Sequence, residues 1–284
     1  MIKFFENLEV KERSKTVLIS LAIYTSLLFY YLIRYNLPFD KYIGTFLIAT
    51  LLLFFIPFKR AIHPVLIILY ISIIYSAMHN ISGKGVVFYR YVINIETFIF
   101  GGVLPNIVQR NFGTSGTTLL DRFCILIYLS HFIFPIIIGI FFWLKDRKYF
   151  SLFFTDLIIL SLIGFSIYLI LPTAPPWLAS VKGFAPTVHK YIMKAADLFP
   201  NMNLKEIYFD NIGNMYGAMP SIHSAYPTLI YLYLGKYKKI NYIIFAPVLL
   251  FIYFTLIYLG EHYGSDLIAG ISLTLLIFFI RKNK

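Results

Sequence analysis

The chain has 284 residues, of which 59% are apolar and 13% are charged, against about 25% charged residues in a typical soluble domain. This composition excludes a soluble globular protein and a disordered chain, and 16 glycines and 13 prolines without a period exclude a fibrous repeat. The formal charge of +12 favours contact with anionic membrane lipids and not with nucleic acid. We therefore expect a polytopic membrane protein.

Eight apolar stretches of roughly 16 to 21 residues approach the length that a helix needs to cross the hydrocarbon core of a bilayer. No strand period is visible, so the predicted fold class is an all-α polytopic membrane protein. The predicted spans are 16–34, 42–58, 62–78, 123–143, 151–171, 220–235, 241–260 and 265–280. The expected domain division is an N-terminal accessory transmembrane hairpin, residues 1–60, and a core, residues 61–284.

An even number of spans places both termini on one side of the membrane. Fifteen of the 25 Lys and Arg residues fall in the short segments on that side, and the positive-inside rule then predicts that both termini are cytoplasmic. These fifteen residues are Lys3, Lys11, Arg13, Lys15, Lys59, Arg60, Lys145, Arg147, Lys148, Lys236, Lys238, Lys239, Arg281, Lys282 and Lys284.

Two long segments, about 79–122 and 172–219, are predicted to lie on the outer side, where loops of this length usually carry function. Within the first segment, residues 98–112 are apolar but are interrupted by glycines and a proline, which favours an interfacial or re-entrant piece. Within the second, Tyr191 to Phe199 is predicted to form a short surface helix.

Polar residues gather at three span ends that face the outer side. These ends are LPTAPPW at 171–177, MPSIHSAYP at 219–227 and LGEHYGSD at 259–266. The topology therefore brings His223, His262 and Asp266 to a common depth near the outer membrane face.

The spacing of these residues suggests phosphoryl chemistry. Pro220 and Ser221 are typical of a helix N-terminus, where free N–H groups favour an anion such as phosphate. If 262–266 forms the first turn of the last helix, His262 and Asp266 share a face, and the carboxylate can hold one ring nitrogen. One histidine would attack phosphorus and the other would protonate the leaving oxygen. A zinc site built from both histidines and Asp266 is the alternative.

At this point the motifs resemble those of a known family. PSIHSAYP, followed 39 residues after its histidine by HYGSD, resembles the second and third signatures of the type 2 phosphatidic acid phosphatase superfamily. Together with LPTAPPW, these motifs are similar to the branch that contains inositol phosphorylceramide synthases. The resemblance covers about 96–270, and its upstream elements are Glu96, the FGG at 100–102, Pro105, Asp121, Tyr128, His131 and Pro135.

The resemblance implies a six-helix phosphatase-type core with its site at the outer membrane face and with no metal or cofactor. It also implies that His262 is the nucleophile, that Asp266 orients it, and that His223 protonates the leaving group.

The chain departs from the superfamily pattern at its phosphate-binding arginines. The first signature, a Lys and an Arg-Pro pair, has no counterpart here, and Thr255-Leu256 stands where a Ser-Arg pair is expected. Charge on the phosphoryl oxygens still needs donors. The candidate substrate-binding groups are therefore Arg110, Arg122, Lys182 and the N–H groups around Ser221, to which we add His131 because ionisable groups within spans are functional candidates.

The leading hypothesis is a membrane phosphotransferase that moves a phosphorylated head group between lipids through a phosphohistidine. A lipid phosphatase acting on polyprenyl diphosphate or phosphatidic acid is the alternative within the same chemistry. A transporter or a non-catalytic lipid-binding protein is the alternative from another class. The expected substrate is a phospholipid or a polyprenyl phosphate, and the oligomeric state is left open.

Overall fold

The structure, a computed structural model, describes residues 8–53, 63–78, 81, 83–199 and 214–282. These residues form twelve α-helices and two short 3₁₀ helices, Ser130–Phe132 and Tyr191–Asp197. The α-helices are α1 Leu8–Arg34, α2 Lys41–Leu53, α3 His63–Ser76, α4 Arg90–Phe100, α5 Leu104–Phe112, α6 Leu119–Leu129, α7 Ile133–Lys145, α8 Arg147–Ile170, α9 Pro176–Val181, α10 Ile222–Tyr237, α11 Ile240–Tyr258 and α12 Gly264–Lys282.

Helix α8 lies at the centre of the bundle. Asp146 caps its N-terminus, because the carboxylate accepts hydrogen bonds from the backbone N–H groups of Lys148 and Tyr149. Most residues of this helix are buried, because it packs against α1, α3, α7, α10 and α12. The site therefore forms around a central helix, with α10 and α12 on one of its flanks.

Each of the eight predicted spans corresponds to a helix or a broken helix. Among the described residues, helices α1, α8 and α11 are long and apolar enough to cross a membrane, and they correspond to three of the eight predicted spans. The bent pair α6–α7 corresponds to a fourth, and the bent pair α4–α5 is not among the eight; the count of possible crossings is five if each pair is one span. The other four predicted spans are the helices α2, α3, α10 and α12, of 13 to 19 residues. The all-α polytopic fold class is confirmed. Some predicted positions lie outside the described residues: residues 54–58 of the second predicted span, residue 62 of the third, and Lys3, Lys59, Arg60 and Lys284.

Two apolar stretches are each divided into two helices by a bend. Helices α4 and α5 meet at 64° around Gly101 and Gly102, so this pair is either a broken span or a re-entrant loop, and the interfacial or re-entrant placement of residues 98–112 stays a prediction. Helices α6 and α7 meet at 53° at the 3₁₀ turn Ser130–Phe132, so the fourth predicted span is not one straight helix. The predicted short surface helix at Tyr191 is a 3₁₀ helix, Tyr191–Asp197, which buries Tyr191, Ile192 and Ala195 and exposes Ala196 and Asp197.

Three segments that the sequence analysis places on the outer side meet through their backbones beside the bundle. The N–H of Phe88 donates to the carbonyl of Pro172 at 2.8 Å, and the N–H of Thr173 donates to the carbonyl of Tyr216 at 2.8 Å. These contacts form two isolated parallel bridges, Phe88 to Thr173 and Thr173 to Gly217. The PTAPPW element thus lies directly against the segment that leads into α10.

Candidate active site

The N-terminus of α10 is fixed against the N-terminus of α12. Ser221 caps α10 by accepting a hydrogen bond from the N–H of Ser224, and its own N–H donates to the carbonyl of Asp266 at 3.0 Å. Gly270 of α12 lies so close to α10 that an added Cβ would be 2.2 Å from the carbonyl oxygen of Ser221. Because the two helices approach this closely, His223 in the first turn of α10 faces the residues just before α12.

The N-terminus of α12 is capped by two carboxylates. Asp266 Oδ2 accepts a hydrogen bond from the N–H of Tyr263 at 2.9 Å, and Glu96 of α4 accepts hydrogen bonds from the N–H groups of Gly264 at 2.9 Å and Ser265 at 2.8 Å. Carboxylates at a helix N-terminus are stabilised by the unpaired N–H groups and the helix dipole. Glu96, which belongs to the upstream part of the resemblance, therefore supports the turn that carries His262.

His262 is held at one ring nitrogen and presents the other. Nδ1 lies 3.1 Å from the carbonyl oxygen of Ala218 and 3.5 Å from Asp266 Oδ2, while Nε2 lies 3.0 Å from Nδ1 of His223. The helix begins at Gly264, so His262 lies in the turn before it and does not share the first helical turn with Asp266 as the sequence analysis expected. The nearer partner of Nδ1 is therefore the backbone carbonyl of Ala218. The Asp266 carboxylate lies farther away and also caps the helix.

The contacts of His262 assign its tautomer. A carbonyl can only accept, so Nδ1 carries the hydrogen and Nε2 carries the lone pair. Burial lowers the pKa of His262 to about 4, although the Ala218 carbonyl acts in the opposite direction. At neutral pH the ring is therefore uncharged, with a lone pair directed toward His223.

The carbonyl of Ala218 is positioned by Thr173. The N–H of Ala218 donates to the Thr173 carbonyl at 3.2 Å, and the Thr173 hydroxyl accepts a hydrogen bond from the N–H of Met219 at 2.8 Å. The PTAPPW element thus acts on His262 through the backbone.

A third imidazole and two tyrosines surround His223. The ring of His131 lies 4.3 Å from that of His223 between centroids, and it stacks on Tyr226 at 5.2 Å. Tyr128 stacks on His223 at 5.0 Å. His131 lies in the 3₁₀ turn between α6 and α7, so the break in this span is what turns its side chain toward the histidine pair.

These residues line one cavity of about 400 Å³, a volume in the range of small-molecule sites. Among the described residues, Lys190 is the only Lys or Arg and Glu261 the only Asp or Glu in its lining. Burial lowers the pKa of Lys190 to about 8, although the nearby Glu261 carboxylate raises it, and Lys190 Nζ lies 3.6 Å from the centre of the Trp177 ring. The cavity thus joins three imidazoles, one cation and one carboxylate.

The segment that carries Lys190 is fastened to α5 and α11. The Gln109 side chain donates to the carbonyls of His189 and Tyr258 at 2.7 and 2.9 Å and accepts from the N–H of His189 at 2.8 Å. Asp121 accepts from the Tyr258 hydroxyl at 2.8 Å and from Lys194 Nζ at 3.1 Å. Asp121, part of the resemblance, therefore holds the outer segment in place and does not reach the cavity.

The structure separates the predicted substrate-binding residues into two groups. His131 lies in the cavity beside His223. Arg110, Arg122 and Lys182 are exposed and are absent from the cavity lining, and Ser221 is fully buried as the cap of α10. Contact of these four groups with phosphate stays a prediction.

Sequence reasoning missed Lys190 and the Ala218 carbonyl. Nothing in the spacing distinguishes Lys190 from Lys182 in the same outer segment. A backbone carbonyl has no signature in the sequence, because every residue carries one.

The model of the PAP2 superfamily matches residues 90–280, which include both histidines and Asp266. The chain belongs to the PAP2 superfamily. Within this superfamily it is similar to a phosphoinositol dihydroceramide synthase of Bacteroides thetaiotaomicron, at 32% identity over 200 residues, 66% of this chain and 65% of the relative. It is also similar to an inositol phosphorylceramide synthase of Candida albicans, at 28% identity over 202 residues, 67% of this chain and 41% of the relative.

The predicted resemblance to the inositol phosphorylceramide synthase branch of the PAP2 superfamily is thereby confirmed. The chain spans between 41% and 65% of the length of these two relatives. A shorter similarity, 35% over 77 residues, links it to a phosphatidylglycerophosphatase B of Bacillus subtilis and covers 23% of this chain and 38% of that relative. No solved structure matches the chain.

Proposed function

We propose that this chain is an integral membrane phosphotransferase that moves a phosphorylated head group from one lipid to another through a phosphohistidine on His262. The observation that carries this proposal is the arrangement of the two imidazoles, with His262 Nε2 facing His223 Nδ1 at 3.0 Å and Nδ1 of His262 held by the Ala218 carbonyl. The names of the relatives support transfer: a phosphoinositol dihydroceramide synthase and inositol phosphorylceramide synthases.

The proposed reaction has two balanced steps. In the first, Nε2 of His262 forms a bond to phosphorus, the bond between phosphorus and the lipid oxygen breaks, and protonated His223 gives its proton to that oxygen. In the second, an acceptor hydroxyl attacks the phosphohistidine, its proton goes to His223, and the bond to His262 breaks. The phosphoryl group has to enter between the two facing nitrogens. Lys190 supplies positive charge to the cavity as charge develops on the phosphoryl oxygens.

Asp266 and the Ala218 carbonyl have a common role in this scheme. When Nε2 bonds to phosphorus, the His262 ring gains positive charge, and both oxygen atoms lie within 3.5 Å of the ring N–H. A buried carboxylate stabilises such a charge and keeps the ring oriented. We propose this role for Asp266, with no metal ion or cofactor, since the imidazoles provide both nucleophile and acid.

Hydrolysis is the second candidate, and the similarity to phosphatidylglycerophosphatase B favours it. In a phosphatase, water would attack the phosphohistidine in place of the lipid hydroxyl. The two candidates differ only in the acceptor. The substrates we propose are a phospholipid or polyprenyl-phosphate donor and, by likeness to the named relatives, a ceramide-type lipid alcohol as acceptor.

The test uses the purified protein in lipid nanodiscs with a donor phospholipid that is radiolabelled in its head group, with and without a lipid alcohol. We expect a labelled lipid product and an acid-labile label on the protein, both abolished in His262→Ala. The matched control is His189→Ala, which removes an exposed imidazole outside the cavity and leaves turnover unchanged. Full activity of His262→Ala contradicts the covalent mechanism. Release of the head group to water despite excess alcohol supports the phosphatase, and turnover lost to a chelator and restored by zinc supports the metal alternative.

We propose further that both termini are cytoplasmic and that the active site lies at the extracytoplasmic face, with residues 1–60 as an accessory hairpin to the core, residues 61–284. The distribution of Lys and Arg supports this orientation. Single cysteines introduced at the two ends of the described chain should react with a membrane-impermeant reagent only after the cells are opened. Reaction in intact cells would reverse the orientation.

A further inference from the structure

One wall of the active-site cavity comes from outside the part of the chain that the PAP2 superfamily model matches. Helix α3, His63–Ser76, precedes the match at residues 90–280, yet four of its residues line the same cavity as His223 and His262. These four residues are Ile71, Ser72, Tyr75 and Ser76. The superfamily core thus supplies the reacting groups, and α3 supplies a surface of its own.

Contacts on both sides of α3 hold this wall in place. The Tyr75 hydroxyl donates to the Asn214 carbonyl at 3.0 Å, and its ring lies 5.4 Å from that of Phe165 on the central helix α8. On the other side, the buried Tyr24 hydroxyl of α1 donates to the Ile74 carbonyl. The wall is therefore a built part of the cavity.

The serines of this wall use the hydrogens of their hydroxyl groups within the helix. Ser72 Oγ donates to the Ile68 carbonyl at 3.0 Å, and Ser76 Oγ donates to the Ser72 carbonyl at 2.9 Å, both within the helix. Their contribution to the cavity is small size, which leaves room between α3 and the apolar residues Phe165 and Ile222 on the other walls. Such a surface favours a hydrocarbon chain.

The depth of the wall points to the same ligand. Phe165 lies five residues before the outer end of α8 at Ile170, which corresponds to about 7.5 Å along the helix axis. The α3 residues fall within the predicted span 62–78. This part of the cavity therefore lies at hydrocarbon depth, whereas His262 lies in a turn between helices and Lys190 in an outer segment.

We infer that the α3 wall receives the hydrocarbon chain of a lipid substrate and sets the enzyme's preference for chain length, an inference that rests on the proposed transferase function. A lipid bound in this way has its phosphate or its hydroxyl at the histidine pair and its chain along Ile71 and Ser72. Because the chain comes from the bilayer and not from water, the fit between chain and wall, and not the hydrophobic effect, sets this preference.

The test fills the wall with a larger side chain. Ser72→Phe narrows the cavity, and the matched control Leu69→Phe adds an aromatic ring on the exposed face of the same helix, where Leu69 is 53% exposed. Two substrate series are measured for each variant: donors of increasing acyl length with one fixed acceptor, and acceptor alcohols of increasing chain length with one fixed donor. In Ser72→Phe we expect the ratio of kcat/KM for long over short chains to fall roughly tenfold in one series, because a long chain overfills the narrowed space whereas a short chain still fits. Leu69→Phe should keep the wild-type preference.

The series that responds identifies the lipid, donor or acceptor, whose chain lies along α3. The inference is overturned if the preference is unchanged in both series, or if Ser72→Phe loses activity equally on short and long chains. His262→Ala in the same assay separates the two proposals. If His262→Ala still turns over, the proposed function is contradicted. If His262→Ala is inactive but Ser72→Phe keeps the wild-type preference for chain length, only the α3 inference is contradicted.

Discussion

Replacing Gly270 with alanine is expected to push apart the two helix ends that carry the histidine pair. The new Cβ would lie 2.2 Å from the Ser221 carbonyl oxygen and 2.5 Å from Ser224 Oγ, and ordinary contact begins at 3.4 Å. Relieving the first contact needs a shift of about 1.2 Å between α10 and α12. A misplacement of about 1 Å at reacting groups lowers rates about 100-fold, so we expect a loss of this order in kcat.

The free energy of unfolding is expected to fall in this variant as well, because the cost of overpacking exceeds the gain from alanine. Alanine gains about 1 kcal/mol over glycine inside a helix, whereas overpacking typically costs about 1–3 kcal/mol. The net destabilisation is then at most about 2 kcal/mol, and the protein should remain folded while it loses activity. Head-group transfer and thermal unfolding in detergent are measured on the same preparation.

The matched control is Gly44→Ala in α2, another helical glycine, whose added Cβ would meet its nearest neighbour, a Phe39 ring atom, at 3.6 Å. This variant should keep full turnover and gain slightly in stability. If Gly270→Ala turns over within about twofold of the wild type, the close approach of α10 and α12 does not set the geometry of the histidines, and the reasoning fails.

Two further predictions concern groups around the site. Glu96→Gln weakens the charge-assisted hydrogen bonds at the start of α12, each worth about 1.5–3 kcal/mol. Both the melting temperature and kcat should therefore fall. Unchanged values in thermal unfolding and transfer assays would refute the role of Glu96 as a cap. Lys190, whose pKa burial lowers to about 8, loses its positive charge as the pH rises through that value, so wild-type kcat/KM should fall on the order of tenfold between pH 7 and pH 9. Arginine at this position stays charged, and Lys190→Arg should flatten this limb of the pH profile; an identical limb in the variant would show that another group titrates.

The histidine pair could be predicted because its signals are local and its topology is simple. His223 follows a proline and a serine that are typical of a helix N-terminus. The next two apolar spans, 220–235 and 241–260, form a hairpin that begins near His223 and ends just before His262. The antiparallel spans then bring both to the same side of the bundle. The 3.0 Å contact between the rings agrees with that argument.

The parts that escaped prediction depend on long-range packing. The 53° break at His131 arises within an apolar run that reads as one helix. Lys190 enters the cavity because Gln109 ties the neighbouring backbone to α5 and α11, a contact across 80 residues that no spacing reveals. The exposed positions of Arg110 and Arg122 likewise follow from how α5 and α6 pack.

The backbone contact that orients His262 has a consequence for mutational scans. Since the oxygen that faces Nδ1 belongs to the main chain of Ala218, replacing this residue with serine or glycine leaves that oxygen in place. A scan of side chains would score position 218 by the space around its methyl group and would overlook its most important atom. Only a change in the peptide unit itself, such as an amide-to-ester exchange between residues 218 and 219, would expose how strongly the main chain controls this imidazole.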